Sequence, residues 1–141
     1  MAELSAQDTL PRRLGYEFAD PALLRLALTH PSAQSAPDGP DYQRLEFLGD
    51  RVLGLVIAEN LYKTFPDESE GALARRYNDL VHRDTCADIA RAFDLGPHVR
   101  MSEAEAASGG ARKAAILADV CESVIGAVFL DGGYDAARAL I

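Results

Sequence analysis

Apolar side chains recur at intervals of three and four along most of the chain, and no stretch alternates them with polar ones over a useful length. The pattern therefore predicts helices and no strands. Asp20-Pro21 reads as an N-cap followed by proline at the first helical position, opening a helix from 21 to about 30 that Pro31 ends. Residues 31–41, PSAQSAPDGPD, form a breaker-rich loop. The longest periodic segment runs from 42 to about 64, with Leu45, Leu48, Val52, Leu55, Ala58 and Tyr62 on its apolar stripe, and Pro66 stops it. Further helices are predicted over about 69–81 and about 84–94, the second closed by Gly96. A linker over 97–111 holds a capping-box pair, Ser102 and Glu105, and then Ser108-Gly109-Gly110. A strongly apolar helix is predicted from 112 to about 130, ended by Gly132-Gly133. The stretch 134–141 begins another helical pattern and stops without a cap, which suggests a piece cut from a longer chain. The fold expected is all-α, with short connections.

At 141 residues the chain fits one domain, with no internal repeat and no low-complexity tract. Hydrophobic residues at 48% and charged residues at 26% are the balance of a soluble globular protein. No uncharged apolar run reaches membrane-spanning length, so no membrane partner is expected. The start, MAELSAQDTLPRRLGY, lacks a secretory pattern. Cys86 and Cys121, both in helical patterns, read as reduced thiols of a cytoplasmic protein. Charge complicates the choice of partner. Fourteen Lys and Arg against 22 Asp and Glu give −8, whereas binding to nucleic acid is driven by basic residues that release counterions from phosphates. An acidic chain needs cations held between its carboxylates, or a separate basic module, to approach such a polyanion.

Two helices carry acids among apolar neighbours. Glu46 and Asp50, four apart, share one helix face and are flanked by Leu45, Phe47, Leu48 and Val52. Asp119 and Glu122, three apart, are the only charged residues between Ala114 and Leu130, and their face also carries the small Ala115, Ser123 and Gly126, leaving room for an approach. Buried carboxylates are costly unless they are paired or bind a metal. Any one such pair reads most simply as a structural ion pair, with Arg44, Arg51, Arg75 or Arg76 as partner. Two pairs on separate apolar helices point instead to a divalent-cation site; oxygen-only ligation suits Mg²⁺ or Mn²⁺, and His30, His82 and His98 are scattered near turns as surface or capping residues. Gly49 inside a long helix costs about 1 kcal/mol against alanine, so a close contact should justify it: either this helix meets its two-fold mate there, with Phe47 entering the partner, or two helices of one chain pack there.

The stretch Tyr42-Gln43-Arg44-Leu45-Glu46-Phe47-Leu48-Gly49-Asp50-Arg51-Val52-Leu53 closely resembles the signature of ribonuclease III endonuclease domains. Leu23 to His30 with Pro31-Ser32, Glu70-Gly71, Ser108-Gly109-Gly110 and Ile116 to Ala127 resemble the family's other segments, in the same order and over nearly the whole chain. The resemblance implies that residues 1–141 form an all-α catalytic domain, homodimeric through the signature helix with Phe47 and Gly49 at the interface. It implies metal ligation by Glu46, Asp119 and Glu122. Asp50 would position the attacking water, Glu122 would also be essential to catalysis, and Glu70 would be a secondary residue near RNA or metal. The implied activity is Mg²⁺-dependent hydrolysis of double-stranded RNA, with Mn²⁺ as a substitute, leaving 5′-phosphates, 3′-hydroxyls and short 3′ overhangs on ribosomal RNA precursors and structured messenger RNAs. Two departures stand out: Gln43 occupies a position where many relatives have Glu, which weakens an accessory role there, and nothing in these residues supplies the double-stranded RNA-binding domain that bacterial relatives usually carry after a linker. The alternative is a ribonuclease-III-like module that binds RNA without cutting it; loss of one of the four carboxylates would mark that class, and all four are present.

Overall fold

The computed structural model describes residues 6–33 and 39–141. Its elements are α1 (Ala6–Leu14), α2 (Pro21–Ala27), α3 (Gln43–Thr64), α4 (Glu70–Val81), α5 (Arg83–Ala92), α6 (Glu103–Ala107), α7 (Ala114–Gly132) and α8 (Tyr134–Leu140), with 3₁₀ turns at Pro31–Ala33, Gly96–His98 and Gly110–Arg112. The all-α expectation holds: the only β feature among the described residues is one isolated parallel bridge, Thr29 to Arg100. That bridge also explains why α2 stops at Ala27, short of its expected end. His30 N–H donates to the Arg100 carbonyl (2.9 Å) and Arg100 N–H to that of Leu28 (2.7 Å), so backbone groups that would extend the helix are engaged elsewhere. α1 was not anticipated, and the breaker-rich 31–41 stretch lies partly outside the described residues.

Local signals set most boundaries. Asp20 caps α2, its carboxylate accepting from Ala22 N–H (3.0 Å), with Pro21 at the first position. His82 divides α4 from α5 and accepts from Asp84 N–H with its ring (3.2 Å), a capping role. Ser102 caps α6 by accepting from Glu105 N–H (3.2 Å), but the reciprocal half of the capping box is absent. Glu105 instead takes the Lys113 ammonium (2.7 Å), and Ser102 N–H donates to the Ser32 hydroxyl (3.0 Å). The stop after α5 is likewise not Gly96 but Asp94, the one non-glycine residue in the left-handed region (φ 54°) among those described. With Leu95 N–H on the Ala90 carbonyl and Asp94 N–H on that of Arg91, the turn is a Schellman motif. Gly96 is needed for a different reason: a side chain there would lie 2.3 Å from the Ala111 carbonyl oxygen.

α7 is the axis. Twelve of its residues, from Ile116 to Val128, are buried, and α3, α5, α2 and α8 pack around it, α3 most extensively. The α3–α7 crossing is made on glycine. A Cβ on Gly49 would stand 1.6 Å from the Glu122 carbonyl oxygen, and one on Gly126 2.3 Å from that of Leu45, so the two backbones touch directly. Two of the three residues on the small face of α7 are thus covered by its own chain, while Ala115 stays exposed. Gly126 meets α3, and the fully buried Ser123 donates its hydroxyl to the Ala27 carbonyl (2.6 Å) and, more weakly, to that of Val120.

The end of α7 is tied to the α1–α2 connection through Asp131, whose carboxylate accepts from the Tyr16 hydroxyl (2.6 Å) and from Ala19 and Asp20 N–H (2.7 and 2.9 Å). The Tyr16 bond, foremost, holds Asp131 below the ordinary aspartate value of 3.8. A depressed carboxylate stabilises the fold above its unfolded pKa, and that contribution is lost as pH falls through the folded value. Asp131→Asn is therefore expected to lower Tm by a few degrees at neutral pH, with the gap to wild type closing below pH 3.8; a gap that persists in acid would remove the charge from the explanation.

Candidate active site

The glycine crossing places the acids. Glu46 lies about one turn before the Gly49 contact on α3 and Asp50 directly follows it, and Asp119 and Glu122 lie on the facing stretch of α7. Glu46, Asp50 and Glu122 line one open cleft with Gln43, Phe47 and Arg83. Asp119 joins the group through Arg83, which donates to its Oδ1 and also stands near Glu46. Glu122 is nearly inaccessible (4% exposed), Glu46 and Asp119 are half-buried, and each rides on a helix core rather than a loop.

Burial raises the proton affinity of Glu46 and Glu122. Burial, above all, pushes Glu46 up to about 7, helped by the charge and hydrogen bond of Asp119 and by the charge of Glu122, with Arg83 opposing. Burial also dominates at Glu122, pushed up to about 7, with the Asp50 and Asp119 charges adding and Arg83 and Arg51 subtracting. Burial and the Asp119 charge raise the Tyr42 phenol, which stays a donor: its hydroxyl gives a hydrogen bond to Asp119 Oδ2 (3.0 Å). Four carboxylates thus face two guanidiniums. Arg51 pairs with Asp50. Arg83 donates to Asp119 Oδ1 (2.5 Å) and to the Ala115 carbonyl (3.1 Å) and stands 4.0 Å from Glu46.

Of the expected neutralising partners, only Arg51 serves. Arg76 pairs instead with Glu68 and covers the Phe65 ring, and Arg75 bonds the Gly71 carbonyl. Arg83 and Tyr42, which do contact the cluster, went unnoticed as site residues: Arg83 is 36 positions from Asp119, and nothing local marks it. Gln43 falls in the cleft as expected, but Glu70 stands exposed at the first position of α4, outside the cleft lining. At Gly49 the close contact that demands glycine is with Glu122 of its own chain. Phe47 is 64% exposed, under the Arg51 guanidinium (4.7 Å from ring centroid).

Among the described residues no three acidic, histidine or cysteine side chains already converge on one point as metal ligands would. The donor set nonetheless fits a hard divalent cation. It is all oxygen and carried by helices, and its four carboxylates face only two guanidiniums.

Residues 20–141 match a family model described as Ribonuclease-III-like. The chain belongs to the ribonuclease III family. Proteins named Ribonuclease 3 from Rhodopseudomonas palustris and Jannaschia sp. are 51% and 55% identical to it, over 94% and 92% of this chain and 49% and 56% of their own lengths. The chain therefore spans about half the length of these relatives. Two structures of the nuclease domain of ribonuclease III from Campylobacter jejuni superpose with TM-scores of 0.89 and 0.90. They are 41% and 39% identical, over 94% and 97% of this chain and 91% of each of theirs. The first is described as showing structural flexibility in a region involved in dimer formation. Membership of the ribonuclease III family implies a divalent metal requirement. No helix among the described residues is long and apolar enough to cross a membrane.

Proposed function

We propose that residues 1–141 are the catalytic unit of a double-strand-specific endoribonuclease that works as a homodimer with Mg²⁺, for which Mn²⁺ substitutes. The observation that carries this reading is that Glu46, Asp50 and Glu122 line one cleft, with Asp119 joined to them through Arg83, on two helices locked together at Gly49 and Gly126. Glu46, Asp119 and Glu122 would hold the metal, and Asp50, at the open side beside Arg51, would orient the attacking water. A bound divalent cation supplies water activation and neutralises charge developing on the phosphate and the leaving oxygen. The chain's own part is rigidity: helix-borne carboxylates keep their positions without reorganising as charge develops.

The net charge of −8 sets the terms for RNA. Cations within the cluster invert the local field so that a phosphate is accepted, while an A-form duplex is recognised by shape and 2′-hydroxyls rather than by sequence. The products proposed are 5′-phosphate and 3′-hydroxyl ends with short 3′ overhangs, on ribosomal RNA precursors and structured messenger RNAs. Buried thiols at Cys86 and Cys121 fit a reducing, cytoplasmic setting. The deciding experiment is a divalent-ion titration with labelled RNA: duplex is cut, single strands are spared and chelation stops the reaction. Metal-independent cutting, or none at any metal concentration, would overturn the proposal.

The dimer is proposed from α3. Phe47, Leu55 and Tyr62 are 64%, 60% and 74% exposed and fall within a quarter turn of one another around the helix, on the side away from α7. Large apolar groups so exposed along one stripe mark an interaction surface. Phe47→Asp is expected to shift sedimentation at micromolar concentration from dimer to monomer while leaving helix content unchanged. A wild-type monomer, or a variant that sediments unchanged, removes Phe47 from the interface.

A further inference from the structure

Both oxygens of Asp119 are already engaged within the chain, and by partners of different kinds. Oδ2 accepts from the neutral Tyr42 hydroxyl (3.0 Å), and Oδ1 from the Arg83 guanidinium (2.5 Å), whose other nitrogen stands 4.0 Å from Glu46 Oε1. Arg83 thus lies between the two helices' acids, in the cleft where a divalent ion would bind. A tyrosine hydroxyl can keep donating to a carboxylate that also ligates a metal. A guanidinium this close repels the incoming ion and competes for the same oxygens. Arg83 also has an exit: it is the first residue of α5, its side chain is half exposed, and its long flexible stem opens onto the cleft.

We propose that Arg83 is a built-in counter-cation, holding Asp119 and Glu46 together in the metal-free protein and releasing them when a divalent ion enters. The proposal rests on the metal-binding reading above. It makes Arg83 a positioning residue with two opposed effects. It stabilises the empty cluster, because four crowded carboxylates otherwise lack enough opposite charge. It also weakens metal binding, because the ion has to displace a resident charge. The protein thereby folds with its ligands already gathered, at the cost of a lower metal affinity.

The test is Mn²⁺ binding to the metal-free protein, measured by calorimetry without RNA. Arg83→Gln is expected to bind Mn²⁺ roughly tenfold more tightly than wild type, the effect of removing one nearby, partly screened charge. It is also expected to have a lower Tm without metal and a larger rise in Tm on adding Mn²⁺. Arg83→Lys, which keeps the charge, is expected to bind as wild type does. Equal or weaker Mn²⁺ binding by Arg83→Gln would overturn the proposal, since Arg83 would then be a fixed ion pair or a support for the ligands. A second measurement needs only the wild-type fold: the Arg83 Nε–H resonance, assigned by its loss in Arg83→Lys, should move on titration with diamagnetic Mg²⁺. A resonance that stays put at saturation counts against displacement. Asp119→Asn separates the two readings. If it abolishes Mn²⁺ binding while Arg83→Gln changes nothing, only the counter-cation role fails; if wild-type binding is absent or indifferent to Asp119, the metal-site reading fails with it.

Discussion

Gly49→Ala is expected to lower Tm by roughly 10 °C, equivalent to about 3 kcal/mol at the upper end of what overpacking costs. The added methyl group would sit 1.6 Å from the Glu122 carbonyl oxygen and 3.0 Å from Gly126 N. Its neighbours are helix backbone, which cannot rotate aside as a side chain can, so α3 and α7 must separate. That contact is the largest in the fold, and the buried Leu45, Val52 and Val124 around it would lose packing with it. Better helix propensity returns only about 1 kcal/mol. Gly71→Ala is the matched control. It sits in α4 with only the tips of the Arg75 and Ser69 side chains at 4.0 Å, so the same chemical change is expected to raise Tm slightly. Thermal unfolding followed by circular dichroism compares the two. A Gly49→Ala protein melting within two or three degrees of wild type would show that the crossing has slack.

The same glycine marks how far the sequence could be read. A glycine in a long helix signals a close contact, and that inference holds. Which helix makes the contact depends on three-dimensional neighbours that spacing does not encode, and within the chain the contact is with Glu122 and Gly126 of α7. The acids behave differently. Spacings of three and four put each pair on one face, and the apolar runs around them implied burial, so both pairs were legible from local pattern. That they meet follows from the crossing of α3 and α7.

The cations are the least legible part of the site. Spacing alone does not rank the arginines: Arg75 and Arg76 are engaged at Gly71 and Glu68, and the cation lying between the two acidic helices comes from the start of α5. Helix ends divide the same way. Caps made by adjacent residues, as at Asp20 and His82, were visible, whereas the early end of α2 depends on a bridge to Arg100 far along the chain. α1 escaped because its Pro11 and adjacent Arg12 and Arg13 break the apolar period, although Leu10 and Leu14 are buried in the core.

Glu122→Gln is expected to abolish cutting of duplex RNA while the protein remains folded. Glutamine keeps the volume of a side chain that is 4% exposed, so the α3–α7 packing has no reason to change. What disappears is one negative charge from the proposed metal ligands. If the metal supplies several kcal/mol of transition-state stabilisation, its misplacement costs roughly a thousandfold or more in rate. Stability without metal should move the other way. Glu122 is pushed up to about 7, chiefly by burial, so its charge opposes folding. A carboxylate raised in the folded state favours folding below its unfolded value of 4.5, and that advantage is lost as pH rises through about 7. The variant carries no such titration. Metal-free Glu122→Gln should therefore gain on wild type as pH climbs from 4.5 to about 7, and keep the gain above it. Loss of cutting together with a lower Tm would place Glu122 in the scaffold. Loss of cutting with an equal or higher Tm places it in the chemistry, because only a group held there against its own electrostatic preference makes the fold more stable when neutralised.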